Sequence, residues 1–227
     1  FSEAKRALLE SGKEDPTLDP LIRKDLEALA LINASGADPL LRFDSSNNIL
    51  SITGEFYLPS YDGTDASKIT AVKNLVSRHK SLTGLGGNEV AIVTSDIIKN
   101  GRGESIIRLD RKYQELPVWG RQMVVTEKNG SILSISGKFR EVPNTIDISS
   151  RLNDATLKKL VANEFEAQGL SIPVIETAVR GIYIRGNISI YAYRVIAESS
   201  YGRKWELYFS PTTKFLLAKS PLFYEVS

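Results

Sequence analysis

Cysteine is absent and histidine occurs once. The first absence excludes disulfides, thiolate zinc sites and thiol catalysis. The second excludes a His-Glu-x-x-His helix, in which two imidazoles hold zinc and the glutamate serves as base. No apolar run approaches the ~20 residues that cross a bilayer. Neither sign of charge is in large excess, with a net of +2 and no Lys/Arg block, so nucleic acid is not indicated. Asn100-Gly101-Arg102-Gly103 lacks the glycine spacing of a phosphate-binding loop and leads into a strand pattern, where a helix would be needed. There is no nucleophile elbow. Asp110 and Glu115, flanking Tyr113, fall on a strand and a turn and read as solvated carboxylates. His79 sits on an apolar helical face with no serine, cysteine or metal constellation beside it, and reads as a packed residue. The chain therefore reads as a non-enzyme with no cofactor and no metal site.

What is present is enough for a core. The 227 residues are 42% hydrophobic and 25% charged, ordinary for a globular protein and unlike a disordered one. Residues 1–37 read as a polar arm followed by a short helix. In the arm, Ala7 to Leu9 can form one turn before Gly12 and Pro16 stop it. Asp19-Pro20 then caps a helix with the apolar stripe Ile22, Leu26, Leu29. The chain begins at Phe1, which suggests that a leader or upstream segment has been removed.

Residues 38–143 read as one antiparallel α+β unit. Leu40 to Leu58 is a hairpin turning at residues 45–48, and Gly54 lies in its second strand. Thr64 to Leu82 is an amphipathic helix with Ile69, Val72, Val76, His79 and Leu82 on one face. Val90 to Ile98 is a strand. The organising stretch is Ile106 to Phe139. Ile107, Leu109 and Tyr113 share one parity. Pro117 and Gly120 bracket Val118 and Trp119, which predicts a sharp corner. Asn129-Gly130 between two β-rich runs predicts a type I′ hairpin.

Residues 144–227 read as a second unit. A helix capped by Asn153 or Asp154 carries Leu157, Leu160, Val161 and Phe165. Strands follow at 174–183, 188–197 and 204–209, with a short fourth at 215–218. The expected fold is α+β, two modules, each an antiparallel sheet packed against one main helix.

Tyr113, Pro117, Val118, Gly120 and Gln122, followed by a Val124-Val125 strand, the Asn129-Gly130 turn and Ser134-Ile135-Ser136-Gly137, resemble the prosegment of thermolysin-like and fungalysin-like secreted metalloproteases. The pattern departs at Glu115, Leu116, Trp119 and Arg121. Ala192-Tyr193-Arg194-Val195 and Trp205 to Phe209 resemble the small PepSY module that follows in such prosegments, although the turn at residues 210–214 lacks the usual Asp and Gly. The resemblance implies a secreted, extracellular or periplasmic inhibitor and folding chaperone of a zinc metalloprotease catalytic domain, in cis or in trans. It implies partner contacts at Pro117, Val118, Trp119, Gly120, Arg121 and Gln122. Trp119 is either a buried anchor or a protease contact, and Arg121 is the better contact candidate. It also implies an inhibitory tail, with Leu222, Phe223 and Tyr224 suited to an apolar pocket and Glu225 able to reach the zinc. The plainer reading is that Leu222 and Phe223 close the second module's own core. Two further readings stay open: an independent secreted or cell-surface binding module unattached to a protease, and a small-ligand carrier.

Overall fold

A computed structural model describes residues 20–36, 39–43, 49–58, 61–93, 97–137, 139, 141–186, 188–199 and 202–222. The expected arm, the Asp19 cap and the 45–48 turn lie outside them. The fold is α+β. The chain divides into two compact units, one of residues 1–112 and 121–141, the other of residues 113–120 and 142–227.

In the first unit, α1 (Pro20–Leu31) starts on its proline and turns Leu29 into the core, with Ile22 and Leu26 against it. β1 (Leu40–Phe43) and β2 (Ile49–Tyr57) form the expected antiparallel hairpin. α2 (Asp65–Arg78) is capped by Thr64, whose side chain accepts from the Ser67 N–H at 3.2 Å. β3 (Glu89–Val93), β4 (Ile98–Lys99), β5 (Ser105–Tyr113), β6 (Leu116–Lys128) and β7 (Ser131–Ser136) follow. β7 lies between β2 and β6, and β5 pairs with β3, β4 and β6. Asn129 and Gly130 both take positive φ between β6 and β7, as the hairpin signal requires. The core joins Phe56, Leu58, Val72, Val76, Ile107, Leu109, Met123 and Val125, all fully or nearly fully buried.

Two expectations are corrected here. The helix predicted to run unbroken to Leu82 stops at Arg78 and resumes as the short α3 (Lys80–Thr83). The break is at His79 (φ −104°, ψ 56°), and its cause lies far away in sequence. The Asp25 carboxylate accepts from the N–H groups of Ser81 and Leu82 at 3.0 and 3.3 Å, capping a second helix start. The corner predicted at Pro117 to Gly120 is instead strand, since residues 116–128 run as β6. The turn sits just before it, at Gln114 (φ 46°) and Glu115 (φ 66°).

His79 is buried, with Nδ1 at 3.5 Å from the Asp25 carboxylate. Burial pushes its imidazole below the ordinary value, although Asp25 pulls the other way. A depressed base takes up protons more readily in the unfolded chain. Its stabilising contribution is therefore complete above about pH 6.5, declines as pH falls below that, and levels off beneath the folded value. Melting temperatures measured from about pH 8 to pH 5 are expected to fall more steeply in the parent than in His79→Gln. Parallel profiles would refute the assignment.

The second unit contains α4 (Asp154–Glu166), capped by Asn153, whose side chain accepts from the Thr156 N–H at 2.8 Å. Its sheet runs from residues 116–120 of β6 through β8 (Val174–Arg185), β9 (Ile188–Glu198), β10 (Lys204–Phe209) and β11 (Leu216–Leu222). The β6–β8 contact is parallel, pairing Val118 with Ile182 and Trp119 with Tyr183. The rest is antiparallel. Leu157, Val161 and Phe165 of α4 pack on Tyr193, Val195, Ala197, Leu207 and Phe209. Val118, Ile182, Ile184 and Tyr191 continue that covered side. Lys219 fastens β11 to the same side. Its ammonium lies 4.0 Å from the Phe165 ring centre and 4.8 Å from that of Trp205, and donates to the Gln168 side chain at 3.0 Å.

Candidate functional site: the open face of the second sheet

Strand alternation sends every second residue of this sheet to the side opposite α4. Register places Trp119, Tyr183 and Ile190 in one cross-strand row, and Val179, Arg194, Tyr208 and Ala218 in another. Glu206 and Ser220 lie in a third row with Ile196, and Lys204 and Leu222 in a fourth with Glu198. All of these share the side that α4 does not cover. α4 is the single helix described in this unit.

An aromatic group occupies the middle of that face. Tyr183 stacks on Tyr208 with ring centres 4.3 Å apart and planes at 24°. Trp119 meets Tyr208 edge-on at 5.5 Å and 66°. The rings have room because the residues beneath them are small. A methyl group added at Gly181 would sit 2.4 Å from the Trp119 ring, and Ala192 opposite Gly181 is fully buried. Val179 and Ile188 extend the face as apolar residues 45% and 62% exposed, enough free area for a partner to cover.

Ion pairs lie on this face, while Arg185, opposite Ile188, donates to the Leu217 carbonyl oxygen at 3.2 Å. Arg194 holds Glu206 at 2.5 Å, and Lys204 holds Glu176 at 2.6 Å. Burial opposes the Arg194 charge, but Glu206 outweighs it and raises Arg194 above its ordinary value. Burial, reinforced by Glu206, keeps the Tyr208 phenol well above its ordinary value and so neutral. The lysine hydrogen bond first of all lowers Glu176. On this face the Glu176 and Glu206 carboxylates are thus held by cations, and the Tyr208 phenol stays neutral. Among the described residues no three His, Asp or Glu side chains converge as metal ligands would.

The residues named from sequence separate along the strand. Trp119 is half-buried on the open face. Val118 points the other way and is buried among Ile182 and Tyr191. Pro117 is half-buried, and its carbonyl oxygen would lie 2.4 Å from a methyl group on Gly181. Gly120 is exposed, with φ at +99°. Arg121 and Gln122 fall in the first unit, Gln122 exposed. Leu222 is the last residue of β11, half-buried opposite Lys204. Phe223, Tyr224 and Glu225 lie outside the described residues. Tyr183, Tyr208 and the Arg194–Glu206 pair were not anticipated. Their signal was available: Tyr208 alternates with buried Leu207 and Phe209, and so had to face away from the helix.

The strands that carry Trp119 fall inside a recognisable segment. Residues 92–139 match the Fungalysin/Thermolysin Propeptide Motif. The motif takes in β5, β6 and β7, including the Gln114-Glu115 turn and the Asn129-Gly130 hairpin. No curated protein matches the chain. Two solved structures are distantly similar to it. One is the C-terminal domain of YpeB from Bacillus megaterium, 9% identical, TM-score 0.42, over 92% of this chain and 99% of that one. The other is an uncharacterised protein from Eubacterium rectale ATCC 33656, 8% identical, TM-score 0.44, over 87% of this chain and 80% of that one. No described helix is long and apolar enough to cross a membrane.

Proposed function

We propose that this chain is a non-catalytic propeptide-type module that binds a thermolysin-like zinc metalloprotease outside the cell, inhibiting its active site and templating its folding. The propeptide motif over residues 92–139 carries this reading. The open sheet face supports it, because it gathers one motif residue, Trp119, and the residue from which the proposed inhibitory tail departs, Leu222. In this reading Trp119 and Tyr183, half-buried over the buried Tyr208 ring, are the anchor, since large aromatics dominate interface energetics. Phe223, Tyr224 and Glu225 would leave the end of β11 and enter the protease cleft. Binding stabilises whichever state of the protease it contacts, so the same surface serves inhibition and folding.

The second reading is an independent secreted or cell-surface binding module. The observation that favours it is the short span of the motif, 92–139 in a chain of 227 residues.

An inhibition titration against a zinc-loaded thermolysin-like protease, with a peptide substrate, separates the two. The tail variant ends at Leu222, which leaves every paired residue of β11 in place. Trp119→Ala is expected to weaken inhibition by roughly 30-fold or more, the range of a buried aromatic anchor. Ending the chain at Leu222 is expected to weaken it at least tenfold. Inhibition untouched by both changes would remove this face and tail from the mechanism. No binding by the intact chain would turn the assignment to the independent module.

A further inference from the structure

The first unit has a groove of about 360 Å³ between α1 and α2 that the propeptide reading does not use. Its α2 wall is the stripe Ala71, Asn74, Leu75 and Arg78, spaced i, i+3, i+4 and i+7. Ala28 of α1, Ile32 just beyond that helix and His79 also line it. The cause of the groove is side-chain size. Ala28 and Ala71 both line it, and their methyl groups are too small to fill the space. Ala71, Leu75 and His79 are buried, whereas Asn74 and Arg78 are exposed at the rim. Among the described residues neither Asn74 nor Arg78 has a hydrogen-bond or ion-pair partner. The site thus has an apolar floor, with the Arg78 guanidinium and the Asn74 carboxamide exposed at its rim.

That donor set has a chemistry. A guanidinium recognises a carboxylate through a two-pronged hydrogen bond. A carboxamide both donates and accepts, as the amide next to a peptide's terminal carboxylate requires. A groove of about 360 Å³ has room for a terminal residue with its aliphatic side chain and the peptide group before it, in the manner of pockets with a few placed polar groups. We propose that this groove binds the C-terminal end of a peptide that finishes in an apolar residue, with the carboxylate on Arg78, the preceding amide on Asn74 and the side chain against Ala28 and Ala71.

His79 is the only histidine in the chain, so its ring gives a single, unambiguous reporter in the groove wall. The full chain would be titrated with N-acetyl-glycyl-leucine, with its C-terminal amide, and with octanoate, while the His79 ring resonances are followed by NMR. Expected is a saturable shift with the carboxylate peptide, at least tenfold weaker binding of the amide, and the same weakening in Arg78→Gln. Arg78 is exposed, so that variant keeps its fold. Ala71→Leu, which fills the groove, is expected to abolish the shift while an unchanged or higher melting temperature reports an intact unit. The absence of a saturable shift, or equal binding of acid and amide, overturns the proposal. Octanoate binding as tightly as the peptide overturns the peptide assignment in favour of a free apolar acid.

Discussion

Gly120→Ala is expected to destabilise the second unit by about 4 kcal/mol, through two separate costs. Gly120 has φ at +99°, a backbone conformation that side-chain-bearing residues rarely adopt. A methyl group there would also lie 2.4 Å from the Ile184 carbonyl oxygen. That oxygen belongs to the backbone of β8, next to the parallel Val118–Ile182 and Trp119–Tyr183 pairs, and cannot swing aside as a flexible side chain would. Strained backbone costs about 1–3 kcal/mol and an overpacked contact about as much. Urea denaturation followed by tryptophan fluorescence tests this, because Trp119 and Trp205 both report on the second unit. A loss under about 1 kcal/mol would mean that β6 relaxes at this point and that its register against β8 is loose.

Lys68→Met is expected to cost the first unit about 3–5 kcal/mol. The Lys68 ammonium is buried in contact with the Glu127 carboxylate at 2.7 Å and the Ser105 hydroxyl at 2.7 Å. Burial alone would lower Lys68, but Glu127 outweighs it and the net direction is upward. Removing the cation strands a carboxylate that is almost wholly buried. The deficit should narrow on acidification, as the stranded group neutralises itself with a proton. The double variant Lys68→Met/Glu127→Leu is expected to recover only part of the loss. Glu127 also accepts from the buried Gly130 N–H at 2.8 Å, and an unanswered amide costs about 1–3 kcal/mol. Guanidinium melts of the two variants at neutral and mildly acid pH check both statements. A double variant no better than the single one would show that the amide contact, and not the ion pair, dominates.

The parts of this fold that were legible in sequence are those whose cause is local. Asn129-Gly130 announced its hairpin because asparagine and glycine tolerate positive φ. The residue types Thr64-Asp65 and Asn153-Asp154 announced the two helix starts, and Thr64 and Asn153 are the caps. The Gln114-Glu115 turn was illegible because neither residue suggests positive φ, and the neighbouring Pro117 and Gly120 drew attention to the wrong place. The break at His79 was illegible because its cause, Asp25, is more than fifty residues away. Lys68 could have been suspected, since it shares a helical stripe with Val72, Val76 and His79. A lysine on such a stripe usually snorkels to solvent, and nothing local pointed to Glu127. The same divide governs the site. Trp119 stood out as a rare residue in a motif; alternation gives the face of Tyr208, but only the register of three strands brings Tyr183 and Tyr208 beside Trp119.

The division of β6 has a genetic consequence. Residues 113–120 are counted with the second unit although they are encoded in the middle of the first. A nascent second unit has its β6 partner already made, and a separated one has lost it. Cutting the gene at the apparent linker near residue 143 therefore yields no pair of interchangeable cassettes. The upstream fragment keeps a strand without its neighbour β8, and the downstream fragment keeps β8 without its parallel mate. Recombination that respects this protein has to move both halves together, or carry the 113–120 segment across as a graft.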